Sequence, residues 1–133
     1  GALLQAYSPE EAKKRFLTSS TAEQLRRDAP DNLASLEGFF ARVPQEGTAA
    51  LLTRISADGP GVSEEALRHL RVPTLVIGHE ADAIHPFEDA KRLASLIPHA
   101  RFVAITPKAV DKAAYIHDFK AALAAFIKEI RNA

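Results

Sequence analysis

The chain has no cysteine, no methionine and no tryptophan. Without cysteine, a disulfide scaffold, a thiolate metal site and a cysteine nucleophile are all excluded. Without tryptophan, and with aromatics at 7%, a stacking platform for bases or sugars is not expected. No run approaches the roughly 20 apolar residues of a membrane span, so no membrane partner is expected. The N-terminus lacks the charged-then-apolar layout of a signal peptide. Lys and Arg balance Asp and Glu at 17 each, which argues against nucleic acid held by bulk positive charge. The absence of methionine from a chain that opens Gly1-Ala2 leads us to expect part of a longer protein. The expected compartment is the cytoplasm.

What is present is an ordinary globular composition: 47% hydrophobic and 26% charged residues over 133 positions. The pattern changes near Gly59-Pro60-Gly61. Residues 1–62 read as a helical, cap-like segment and residues 63–133 as a strand-containing one. In the first segment, Ser8-Pro9-Glu10-Glu11 is a capping box with Pro at the first helical position. Ser20-Thr21-Ala22-Glu23 reads as a second box, Asp31 as the cap of a third helix and Thr48 as the cap of a fourth. Leu33, Leu36, Phe39 and Phe40 repeat at helical spacing, and Ala29-Pro30 and Val43-Pro44 break the helices.

The second segment alternates. Ser63–Leu70 is a short amphipathic helix, and Thr74–Ile77 is an apolar, β-favouring run of the kind buried on both faces of a parallel sheet. Pro86 opens a helix that Pro98 stops, Phe102–Ile105 is a second strand, and Asp111 caps a last helix carrying Tyr115, Phe119, Leu123, Phe126, Ile127 and Ile130. The expected fold class is α/β: a mostly helical N-terminal part followed by a βαβα unit, its strands parallel and its crossover right-handed. Two strands alone make a poor sheet, so self-association or pairing with missing strands is expected.

The residues Val72-Pro73-Thr74-Leu75-Val76-Ile77-Gly78, Asp82-Ala83-Ile84-His85-Pro86 and Ile97-Pro98-His99-Ala100-Arg101-Phe102-Val103 resemble the C-terminal portion of the α/β-hydrolase superfamily. The resemblance runs from Val72 to Ile127, and the helical first half is similar to a cap of that family. It implies an incomplete α/β-hydrolase fold and a parent that cleaves an ester, amide or similar bond of a small, partly apolar substrate.

The resemblance places Asp82 at a position of the catalytic acid, which holds and stabilises an imidazole. Read on its own, Asp82 is a loop Asp bonding its own turn. The family's His follows the last strand; counting back from Phe126-Ile127 puts that position at Lys108. Lys108 reads as a surface lysine, as an ionic partner of Asp82 or a substrate anion, or as a base if strongly desolvated. His79 and His85 flank Asp82 and are candidate substrate contacts or plain turn residues. Their spacing with Asp82 lacks a fourth ligand, so no metal is expected, and no cofactor is expected. Glu80 beside Asp82 lacks the setting of a glycosidase pair.

No G-x-S-x-G elbow occurs; Gly61-Val62-Ser63 lacks its second Gly and a preceding strand. Beside an independent helical interaction module with a small βαβα core, which would fold as a monomer, two functions are carried forward. One is a part of a hydrolase, with the nucleophile elsewhere. The other is a non-catalytic binding or interaction protein of the same fold, motivated by Lys108 at the His position.

Overall fold

A computed structural model describes residues 1–59 and 61–132; Pro60, at the expected break, lies outside the described residues. The chain divides into two compact units, Gly1–Gly61 and Val62–Ala133.

The first unit is helical: α1 (Ala2–Ala6), α2 (Pro9–Leu17), α3 (Ser20–Asp28), α4 (Pro30–Gly38), a short 3-10 turn (Phe39–Ala41) and α5 (Gln45–Ala57). Ser8 caps α2 through Oγ, which accepts from the Glu11 N–H at 3.4 Å. Three expected starts move. α3 is capped by Ser19, not Ser20: Ser19 Oγ accepts from the Ala22 N–H at 3.2 Å. Of two adjacent serines, the earlier takes the cap and gives the later to the helix, so Glu23 no longer stands at the box position. Asp31 is not a cap, because Pro30 takes the first helical position with its preset φ and missing N–H. Thr48 lies inside α5, buried, with its hydroxyl directed back to the Pro44 carbonyl at 3.4 Å. Pro44 begins that helix instead, and Gln45 Nε2 anchors it by donating to the Phe40 carbonyl at 2.7 Å.

Ala22, Leu25, Ala29 and Leu33 are buried together where α3 meets α4, with Phe16, Leu17 and Leu36 packed on them. Small Ala side chains let the two helices approach closely, and Leu25 and Leu33 fill the space between them.

The second unit contains α6 (Glu64–Arg68), β1 (Leu75–Gly78), α7 (Phe87–Leu96), β2 (Arg101–Ala104) and α8 (Lys112–Arg131). Ser63 caps α6 and Asp111 caps α8, the latter accepting from the Ala113 and Ala114 N–H groups at 2.8 and 2.9 Å. The strands are parallel neighbours, with Leu75 opposite Arg101 and Gly78 opposite Ala104. A mostly helical chain with a small parallel sheet fits the α/β class.

Side-chain alternation sorts the layers. A Cβ on Gly78 would stand 3.1 Å from Ala90 and 3.2 Å from Phe87, so the Val76 and Gly78 face meets α7. His79, one residue on, meets Tyr115 of α8. Successive strand residues point to opposite faces, so α7 and α8 cover opposite sides of the sheet. The burial expected of β1 on both faces is only partly reached: Val76 is buried, while Leu75 and Ile77 are half-buried. Two strands offer too little width to close over their own side chains. The Arg92–Glu64 salt bridge ties α6 to α7, and Arg68–Glu64 is a pair within α6. The two arginines hold the Glu64 carboxyl below its ordinary range, Arg92 contributing most.

Candidate functional site

The loop leaving the carboxyl end of β1 carries the expected residues, and Asp82 organises it. One carboxylate oxygen, Oδ1, accepts from the backbone N–H groups of Ile84 at 3.0 Å and His85 at 2.9 Å. This is an Asx-type turn: a short side chain takes the place of a backbone carbonyl. It sets up the entry to α7, which starts directly after Pro86. The second oxygen, Oδ2, lies 3.2 Å from His85 Nδ1. A carboxylate only accepts, so Nδ1 is the donor and Nε2 is the nitrogen available to a ligand. The Asp82 side chain is 20% exposed and that of His85 is 82% exposed. The loop thus holds an ordered carboxylate beneath an imidazole that faces solvent.

Asp82, His79 and His85 line one cleft of about 500 Å³, together with Ile84, Asp89, Leu93, Tyr115 and Phe119. His79 is half-buried, its ring edge-on to Tyr115 with centroids 6.1 Å apart. Its Nδ1 is buried with no hydrogen-bond partner among the described residues. A buried ring nitrogen left unpaired is costly. His79 also borders a second cavity of about 340 Å³ at the carboxyl ends of both strands, with Glu80, Thr106, Pro107 and Asp118.

Lys108 is exposed, in the turn that the Val110 N–H closes on the Pro107 carbonyl at 3.0 Å. It is not among the residues lining the cleft of Asp82. The structure therefore gathers three of the four candidate side chains in one cleft and leaves Lys108 out of its wall.

Sequence reasoning missed Asp118, Tyr115 and Asp89. Asp118 Oδ2 accepts from the Thr106 N–H at 3.0 Å and from its hydroxyl at 2.7 Å. These bonds hold the Asp118 carboxyl below its ordinary value of 3.8. They pin the loop after β2 to α8. The signal was available: Asp118 shares an arc of the last helix with Tyr115 and buried Ala122, and an acid on a covered arc needs a partner.

Chemically, the cleft offers apolar walls, two imidazoles, a phenol and two carboxylates. Its lining contains no Ser, Thr or Cys. Among the described residues no cluster of three His, Asp or Glu could hold a metal, and no helix is long and apolar enough to cross a membrane. In the helical unit, Phe16, Leu36, Phe39, Phe40 and Leu52 border a separate apolar cavity of about 280 Å³. No protein-family model, curated protein or solved structure matches the chain.

Proposed function

We propose that this chain supplies a cap-like helical segment and the C-terminal βαβα portion of an α/β-hydrolase-like protein acting on an ester, amide or similar bond. The supporting observation is Asp82, fixed by two backbone N–H groups at the carboxyl end of a parallel strand. That end of an open α/β sheet is where ligands and catalytic side chains collect. The apolar walls of the cleft suit a small, partly apolar substrate. A cytoplasmic setting goes with this reading.

In this reading the nucleophile and first oxyanion donor come from residues outside the sequence described. The test is the coding sequence upstream of Gly1. It should encode a strand leading into a G-x-S-x-G turn, and an upstream sequence without that turn would overturn the reading.

A second reading, a non-catalytic member that binds a ligand in the same cleft, is favoured by one observation. Lys108 stands in the turn after β2 where the resemblance calls for His, and it does not line the cleft. The two readings separate on the longer protein with a p-nitrophenyl butyrate assay. The enzyme reading expects turnover that Asp82→Asn reduces by at least tenfold. The binding reading expects the buffer rate in both proteins.

A further inference from the structure

The two edges of the sheet differ. The Thr74 carbonyl accepts from the Arg101 N–H at 2.9 Å, and the Gly78 carbonyl accepts from the Ile105 N–H at 3.0 Å. In a parallel pair, alternate residues turn both backbone groups to the same side. Thr74, Val76 and Gly78 therefore face β2, and Leu75 and Ile77 present their N–H and C=O groups at the other edge. No strand among the described residues pairs there. β2 opens with Arg101, exposed and ion-paired to Glu129 at 2.7 Å, and a charge of that kind protects an edge. β1 reads Leu75-Val76-Ile77-Gly78 and has no such charge.

Both helices beside that edge keep apolar side chains in water. Leu93 of α7 and Ile116, Phe119, Leu123, Ile127 and Ile130 of α8 stand 37–43% exposed. On α8 these residues recur at intervals of three and four, which makes one continuous stripe. Phe119 and Leu93 line the cleft whose floor includes Val76 and Ile77. Edge and stripe thus belong to one surface, a slot walled by two helices with unpaired backbone at its base.

We propose that this slot is filled by a second copy of the chain, β1 pairing antiparallel with its counterpart across a two-fold axis normal to the sheet. The arrangement is self-complementary: the Leu75 and Ile77 groups meet the same groups of the partner, and the two α8 stripes meet on one face. It gives a four-stranded sheet in which the charged β2 strands are outermost. The formal net charge is zero, so copies do not repel at long range. Each large side chain left two-fifths open offers on the order of 60–100 Å². The stripes and edges of both copies together reach on the order of 1,000 Å², the least that a biological interface needs. This inference rests on the second unit alone and competes with the hydrolase reading, in which strands of the longer protein pair along the same edge of β1.

Sedimentation equilibrium at micromolar concentration tests it, with Ile77→Pro and Phe119→Lys beside the wild type. Ile77→Pro removes an outward N–H and leaves the bonds to β2 intact. Phe119→Lys charges the stripe and leaves the strand untouched. The wild type should sediment at twice the chain mass of 14.4 kDa. Each variant should associate at least tenfold more weakly with unchanged far-UV circular dichroism; should one variant unfold, the other decides. A monomeric wild type, an assembly larger than a dimer, or a dimer that a folded variant leaves intact would overturn the proposal.

Discussion

The helical unit closes its core among near neighbours in sequence and leaves Val43, Leu51 and Ile55 outside it, while the βαβα unit leaves a whole stripe of its last helix in water. Ala22, Leu25, Ala29 and Leu33 close on one another within two consecutive helices. In the second unit Val76, Ile97, Ile105 and Ala122 are buried, while the α8 stripe and Leu93 stay open. The difference is one of range. A helical hairpin completes its core with residues a turn or two away. A parallel strand needs neighbours on both edges and cover on both faces, and these come from distant chain or from another molecule.

The comparison can be broken most forcefully by truncation. Leu33→Ala and Leu25→Ala should each destabilise the protein by about 2–4 kcal/mol, since both side chains sit in a closed core. Leu123→Ala, on the open stripe, should cost under about 1 kcal/mol when the protein is dilute enough to be monomeric. Urea unfolding of the three variants checks this, and equal losses would erase the distinction between the units.

A smaller effect sharpens the role of the β1 loop. Asp82→Ala gives the Ile84 and His85 N–H groups up to water and should cost about 1–2 kcal/mol. Asp82→Asn keeps an accepting oxygen for both and should cost roughly half as much. Thermal unfolding distinguishes the two, and an equal loss would mean that the charge, not the turn, holds the loop.

Helix capping gives a finer test and shows where the sequence was readable. Ser19→Ala should cost about 1 kcal/mol, and Ser20→Ala less than about 0.5 kcal/mol, by urea denaturation. Both serines satisfy the same local preference, and the sequence does not separate them. Ser8 and Asp111 stand without such a competitor, and each was legible. Asp31 and Thr48 lost to Pro30 and Pro44, whose fixed φ sets the helix start. α1 gave no signal, because five residues without a side-chain cap show no periodicity. The strands were legible to within one residue, since a short apolar run does not mark which end pairs first. The Asp82 loop was legible as a cluster with His79 and His85; its partnership with Tyr115 and Phe119 depends on how α8 lies on the sheet. Lys108 shows the limit: chain spacing placed it after β2, but not in the wall of the cleft.

The smallest expected effect is electrostatic. The Thr106 hydrogen bonds depress the Asp118 carboxyl in the folded protein. A depressed carboxyl contributes stability that is fully present above its unfolded value and is lost as pH falls through the folded one. The advantage of wild type over Asp118→Asn should therefore stay level at neutral pH and shrink below the ordinary value of 3.8. Chemical denaturation across that acid range reads it. An advantage that grows toward low pH would contradict the assignment.

The contrast between a closed helical core and an open sheet edge is tested most directly by residue-resolved hydrogen exchange over a dilution series. The Leu25 and Leu33 amides lie within α3 and α4 and should show one protection at every concentration. The Leu75 and Ile77 amides, which face away from β2, should exchange freely when the protein is dilute and gain protection as its concentration rises. Protection of Leu75 and Ile77 that is already high and does not change with concentration would contradict the account, because the edge of β1 would then be closed within a single chain.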